Sequence, residues 1–281
     1  MDERIDKVLV NARSLGGIGT TLSFPEMSLS IDIGVCTPAA LRTSTVALTH
    51  AHADHMAGLH TYLAVRRLFG MASPRVVVPE AVLPGLRACI DAFGALQGRP
   101  FEYDLVAARP GEDIELRKDL WLRPFPVRHA VPSLGYVVFR RSSKLRPEHR
   151  HLTGPQIARL KEDPAARLFD EVLDPLLAVT GDTTADGLPF SDPLVREARV
   201  LFVEATFVGD RHAVDAAHLG QHVHLDELAP MLRGLACKAI VLYHFSQTYR
   251  VDEVRAEVAA RLPPEVAGRV RLLLPAEEDR L

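Results

Sequence analysis

The sequence predicts a layered α/β sandwich. Two observations carry this. Short runs rich in Val, Ile, Leu and Phe, bounded by Gly, Pro, Asp or Ser, alternate with stretches of helical periodicity. The strand-like runs fall into an early and a late set of paired strands, and helices packed on two such sets give a layered fold. Size and composition agree: 281 residues, 47% apolar and 25% charged, can bury a large core. With no repeat and no strong linker, the chain is read as a single domain, 1–281.

The expected strands are 27–34 (MSLSIDIG), 44–49 (STVALT), 74–78 (PRVVV), 120–127 (LWLRPFPV), 135–140 (GYVVFR), 176–180 (LLAVT), 199–204 (RVLFVE), 238–243 (KAIVLY) and 269–274 (RVRLLL). Helices are expected over 56–69 and 79–96. Val251, Val254, Val258 and Leu262 recur at three and four residues, which makes one apolar stripe over 251–262. Leu225, Leu228, Leu232 and Leu235 do the same, with Asp226 and Glu227 favourable in the first turn. The polar, Pro-containing and basic stretch 141–170 reads as irregular. GGIG at 16–19 reads as a hairpin turn, because it lacks the GK[ST] ending and the full GxGxxG spacing of a phosphate loop.

Composition excludes several classes. A net charge of −3 is not that of a general polyanion binder, so any nucleic acid must meet a local patch. Cys36, Cys89 and Cys237 are scattered in no ligand spacing and read as reduced thiols of a cytoplasmic protein. No run approaches the roughly eighteen apolar residues of a membrane span. MDERIDKVLVNARS lacks the apolar segment of a signal peptide. No GxSxG elbow points to a serine hydrolase.

The chemistry is concentrated at 48–59, LTHAHADHMAGL. His50 and His52 leave a buried strand in extended backbone, where alternate residues point the same way and can grip one ion. The turn that follows lets Asp54 and His55 face a second. Imidazole and carboxylate suit zinc, and also iron or manganese. Further donors stand after three later strands: His129 after 125–127, Asp182 after 177–180 in VTGDTT, and His244 after 240–243. Strand carboxyl ends are where open α/β sheets present chemistry.

HAHADH at 50–55 with His129, Asp182 and His244 resembles the metallo-β-lactamase-fold hydrolases, over Asp32 to about Tyr249. The resemblance implies a four-layer αβ/βα sandwich with two divalent ions at one edge. Zinc is the first choice, with manganese or iron open. It puts His50, His52 and His129 on one ion, Asp54, His55 and His244 on the other, and Asp182 between them. Asp32, in SIDIG at 30–34, is implied to brace the metal loop rather than to ligate.

Within those hydrolases, the common dizinc lactamases have a cysteine where this chain has Asp182. RHAVPSLGYVV (128–138) instead resembles ribonuclease Z, the tRNA 3′-processing endonuclease, in its short plant-type form. VEATF (203–207) is similar to that family's HEAT motif, keeping Glu204, Ala205 and Thr206 with Val203 in place of histidine. HVH (222–224) is similar to its HST loop, and YHFSQTY (243–249) to LTHFSxRY, with Thr248 replacing the arginine. The resemblance implies endonucleolytic removal of 3′ trailers from precursor tRNA by metal-bound hydroxide. Asp54 would orient the nucleophile and take its proton; Glu204 and His222 would protonate the leaving oxygen. It also implies a homodimer. Ser133 and Ser246 are candidate phosphate contacts. The bacterial family's long Gly/Pro-rich arm has no counterpart, since only 44 residues, 137–180, separate Tyr136 from Gly181. That stretch does hold Arg140, Arg141, Lys144, Arg146, His149, Arg150 and His151, a candidate phosphate-contacting patch. The alternative on the same ligands is a hydrolase of a small phosphodiester or ester.

Overall fold

The computed structural model describes residues 1–163 and 166–275. Among the described residues the strands form two seven-stranded sheets. The first runs in chain order: β1 (Asp2–Ile5), β2 (Val8–Leu15), β3 (Gly19–Phe24), β4 (Leu29–Ile31), β5 (Thr45–Ala47), β6 (Arg75–Pro79) and β7 (Asp104–Ala108). The second does the same with β8 (Ile114–Arg117), β9 (Leu120–Pro126), β10 (Leu134–Leu145), β11 (Phe169–Val179), β12 (Val200–Glu204), β13 (Ala239–Tyr243) and β14 (Val270–Leu272). Each sheet opens with three antiparallel pairings and closes with three parallel ones.

Alternation along the strands makes the layers. Ile31, Ala47 and Val77 of the first sheet meet Phe202, Val241 and Tyr243 of the second in one buried core between the sheets. Their neighbours point outward. Val46, Val76 and Val78 pack under the helices Leu59–Leu68 and Leu83–Leu96. Leu201, Val203, Ile240 and Leu242 pack under Leu225–Met231 and Val251–Arg261. Central parallel strands buried on both faces therefore read as continuous apolar runs. The result is the expected four-layer αβ/βα sandwich. Phe24 and Phe202 meet edge-on across the inner layer, with ring centroids 5.7 Å apart. Phe202→Ala is expected to destabilise the chain by about 3–5 kcal/mol. Equilibrium denaturation reads this as a lower midpoint, and an unmoved midpoint would contradict the packing described.

The structure departs from the sequence reading in four places. The first hairpin, β1–β2–β3, was not foreseen as strands, nor were β7 and β8. The expected strand 27–34 shortens to Leu29–Ile31, with Pro25–Met27 a 3₁₀ turn before it. The helix expected over 56–69 is two pieces, Ala53–Met56 and Leu59–Leu68. They part where Gly58 packs on the chain: a Cβ there would lie 2.6 Å from Cys36 N and from Ile33 O. The stretch 141–170 is not irregular throughout. β10 continues to Leu145 and β11 begins at Phe169, and between them Gly154–Leu160 is a helix with a Thr153–Gln156 capping box. GGIG is the expected turn between β2 and β3.

Candidate active site

The candidate metal donors, Asp32 and Glu204 lie at or beyond strand ends at one edge of the two sheets, and His222 follows the helix Val214–Gly220. β5 leads to His50 and His52, and His55 follows on the short helix Ala53–Met56. β9 leads to His129, β11 to Asp182, β12 ends at Glu204 and β13 leads to His244. Asp32 and His244 both sit at positive φ, 58° and 64°, where non-glycine residues are uncommon. At Gly34 a Cβ would fall 1.9 Å from the Asp54 carbonyl oxygen, so the Asp54 loop rests directly on the exit of β4.

Donor atoms converge in two groups, one from His50, His52, His129 and Asp182, and one from Asp54, His55 and His244. Asp182 joins them: its Oδ2 lies 3.3 Å from His55 Nε2, 3.4 Å from His244 Nε2 and 3.7 Å from His50 Nε2. A third grouping of Asp182, His222 and His244 overlaps both.

The hydrogen bonds behind the rings say which nitrogens carry protons. Thr49 Oγ1 donates its only hydrogen to Asp32, so it accepts from His50 Nδ1–H at 3.0 Å. The Gln221 carbonyl accepts from His129 Nδ1–H at 2.9 Å. Thr206 Oγ1 donates to Glu204, so it accepts from His244 Nδ1–H at 3.1 Å. Each of these rings thus has Nδ1 held from behind and turns Nε2 into the centre. His50 Nε2 and His129 Nε2 lie 3.0 and 3.2 Å from His52 Nδ1, and a single hydrogen cannot serve both. Asp182 Oδ1 is buried with no partner. Converging lone pairs and a buried, half-satisfied carboxylate fit divalent cations.

Electrostatics agree. Burial, with help from the neighbouring His55, pushes the His50 pKa down to about 2, the neutral form that ligates. Burial also opposes charge on His55, yet Asp182 and Asp32 hold its pKa well above the ordinary value. Asp32 Oδ2 accepts from His55 Nδ1 at 2.8 Å. Burial would raise the Asp54 carboxyl, but His244 and His55 hold it below its usual range. The centre is one that demands positive charge.

Glu204 and His222 stand beside it. The fully buried Glu204 accepts at Oε1 from Thr183 N–H (3.0 Å), Val223 N–H (3.2 Å) and His222 Nδ1–H (3.0 Å). Its Oε2 accepts from the Thr206 amide and hydroxyl. Burial works against charge on His222, but Glu204 lifts its pKa to about 9. With Nδ1–H committed to Glu204, the ring offers Nε2–H to whatever enters.

Some placements differ from the sequence reading. The Ser133 hydroxyl donates to the Val131 carbonyl, and Ser246 exchanges hydrogen bonds with Thr248. Arg141 is committed to Asp113 and Glu171 and lies over Trp121; Arg146 pairs with Glu148 and Asp170. The 140–151 stretch lies toward the far end of β10, and the eight steps of strand from Tyr136 to Lys144 span about 26 Å. Four groups had been given no bracing role: Thr49, Thr206, Gln221 and the Gly17 amide, which donates to Asp54 Oδ2 at 2.9 Å.

Known proteins place this geometry. Residues 36–245 match the family model of the β-lactamase superfamily domain. The chain is 34% identical to tRNase Z TRZ1 of Arabidopsis thaliana, with 95% of each covered, and 31% identical to the chloroplastic tRNase Z TRZ2 of the same plant, with 95% of this chain and 75% of that protein covered. The crystal structure of human tRNase Z, short form, superposes with a TM-score of 0.62 at 17% identity, covering 95% of this chain and 96% of that one. The chain belongs to the tRNase Z family, on the metallo-β-lactamase fold.

Proposed function

We propose that this protein is a metal-dependent endoribonuclease that removes 3′ trailers from precursor tRNA. The observation that carries the reading is the Glu204–His222 pair, a held proton donor set beside the converging metal donors. Identity to two curated tRNase Z proteins over nearly all of this chain supports the substrate.

In this reading His50, His52 and His129 would hold one divalent ion and Asp54, His55 and His244 the other, with Asp182 shared by the two groups. The nitrogen-rich donor set favours zinc. Two such ions, when bound, acidify water and offset the charge that builds on a phosphate under in-line attack. The chain supplies the rest. Asp54, steadied by the Gly17 amide, orients the attacking water and takes its proton. As the new oxygen–phosphorus bond forms and the old one breaks, His222 Nε2 gives its proton to the leaving oxygen. Glu204 keeps the imidazole aimed and balances its charge. The experiment compares kcat/KM on precursor tRNA with that on a small chromogenic phosphodiester and a carboxylic ester. Precursor tRNA is expected to win by at least about 10³-fold, because binding energy from its remote parts goes into the chemical step. Equal or better use of a small substrate would move the function to small-molecule hydrolysis.

The reading includes a homodimer. Its support is apolar surface: Leu68 and Phe69 at the end of Leu59–Leu68, and Phe93 and Leu96 near the end of Leu83–Leu96, are all exposed. Phe69→Glu with Leu96→Glu is expected to halve the mass seen by light scattering, and an unchanged mass would remove this face as the contact. Cytoplasmic residence is part of the same reading, supported by three unpaired cysteines. No helix among the described residues is long and apolar enough to cross a membrane.

A further inference from the structure

The edge of the sandwich opposite the donor cluster holds a groove that the chemistry above does not use. β2 begins there at Val8, β9 at Leu120 and β12 at Val200, and each runs from there toward the donor edge. The groove encloses about 960 Å³, within the roughly 300–1,000 Å³ of pockets that take small organic groups. Arg117, Lys118, Arg140, Ser142, Lys144 and Arg199 line it. A second cavity of about 140 Å³ shares Arg117, Arg140 and Arg199 and reaches Val8, Met27, Leu120 and Leu176. A cationic mouth thus leads to an apolar floor between the two sheets.

Strand alternation builds the mouth. Tyr136 and Val138 face the inner core, so Arg140, Ser142 and Lys144 carry the same face of β10 past the point where the core ends. Arg140 stands opposite Leu120 on one side and Asp174 on the other. The turn from β8 to β9, with Asp119 at a φ of 65°, sets Arg117 and Lys118 beside them. In this region Arg141 pairs with Asp113 and Glu171, and Arg199 with Asp6 and Asp174 at 3.5 and 3.8 Å. Arg117, Lys118, Arg140 and Lys144 pair with no carboxylate among the described residues. Like charges gathered round one cavity repel one another, and a bound polyanion removes that cost. Guanidinium groups take phosphate oxygens in pairs, and lysines take them as point charges. A polynucleotide backbone tracks an open basic groove. This one closes on an apolar floor and carries Asp119 and Asp174 in its wall, which suits a small ligand.

We propose that this groove is a binding site for a small polyphosphate anion, either an inorganic oligophosphate or the phosphate chain of a nucleotide. The phosphates lie on Arg117, Lys118, Arg140 and Lys144, with the Ser142 hydroxyl as a further donor. Any apolar part of the ligand enters between Val8, Met27, Leu120 and Leu176. None of these residues belongs to the metal donor groups, so the site stands apart from the ribonuclease reading.

The test is titration calorimetry of metal-loaded protein with tripolyphosphate and with ATP, with metal content measured before and after. At least one is expected to bind with a Kd of about 10 µM or tighter at about 0.1 M salt, and more weakly as salt rises. Arg117→Ala with Arg140→Ala is expected to weaken binding at least about tenfold, and Lys118→Ala with Lys144→Ala at least about threefold. All four side chains are exposed, so both variants are expected to fold. Equal affinity for the two probes assigns the site to the phosphates alone, and tighter ATP puts its nucleoside on the apolar floor. No binding of either probe to the wild type overturns the site. So does binding that survives both pairs of substitutions, or that disappears when a chelator strips the metal, because the anion then sits elsewhere. Mature tRNA that displaces the bound probe at about 1 µM or below makes the groove an RNA contact and overturns the small-anion site as well.

Discussion

Asp182→Ala is expected to abolish hydrolysis, a loss of at least about 10³-fold, together with metal binding at both positions. The reason is geometric. Asp182 Oδ2 stands within 3.3 to 3.7 Å of ring nitrogens from His50, His55 and His244, so one oxygen serves both donor groups. Without it, His50, His52 and His129 keep only imidazole nitrogens and no carboxylate, and the second group keeps one carboxylate. Asp182→Asn tests charge apart from shape. It fills the same space, and it is expected to lose nearly as much, because an amide oxygen does not supply the negative charge the histidines surround. Elemental analysis of the purified variants reads metal content, and thermal melts check the fold. A variant that keeps both ions and its turnover would contradict the bridging role.

His222→Ala is expected to separate metal binding from turnover. Turnover should fall by about 10²- to 10⁴-fold, the range for loss of a general acid, while metal content stays at that of the wild type. His222 lies near Asp182, with Nδ1 3.9 Å from Oδ2, but that nitrogen is committed to Glu204 at 3.0 Å. In this proposal it is therefore a proton donor rather than a ligand. A substrate with a good leaving group needs no proton there, so a p-nitrophenyl diester should rescue much of the lost rate. Loss of an ion in His222→Ala, or equal losses on both substrates, would make His222 a ligand instead.

The positions of the converging donors were legible in the sequence because each follows a short apolar strand. His50, His129, Asp182 and His244 sit just beyond Leu48, Val127, Thr180 and Tyr243; parallel pairing aligns the ends of β11, β12 and β13, and β9 runs the same way as β11 because both are antiparallel to β10. The Glu204–His222 contact was legible only through resemblance, since eighteen residues separate the pair and no periodicity connects them. The bracing groups carried no such signal. Thr49 and Thr206 are ordinary strand-end residues by type, and what matters in Gly17 and Gln221 is a backbone amide and a backbone carbonyl. The opening hairpin was missed for a different reason. Val8, Val10 and Ala12 alternate inward, but Asn11 among them, Arg13 after them and the charged DER before them mask the strand pattern. The break at Gly58 comes from tertiary crowding against Ile33 and Cys36, which a helical pattern does not record.

The most direct measurement is cleavage of a 5′-labelled precursor tRNA with a 3′ trailer by metal-loaded protein, with and without a chelator. The account predicts a single cut at the trailer junction that the chelator abolishes and added zinc restores. No cut, from protein shown to hold about two ions per chain, would contradict it.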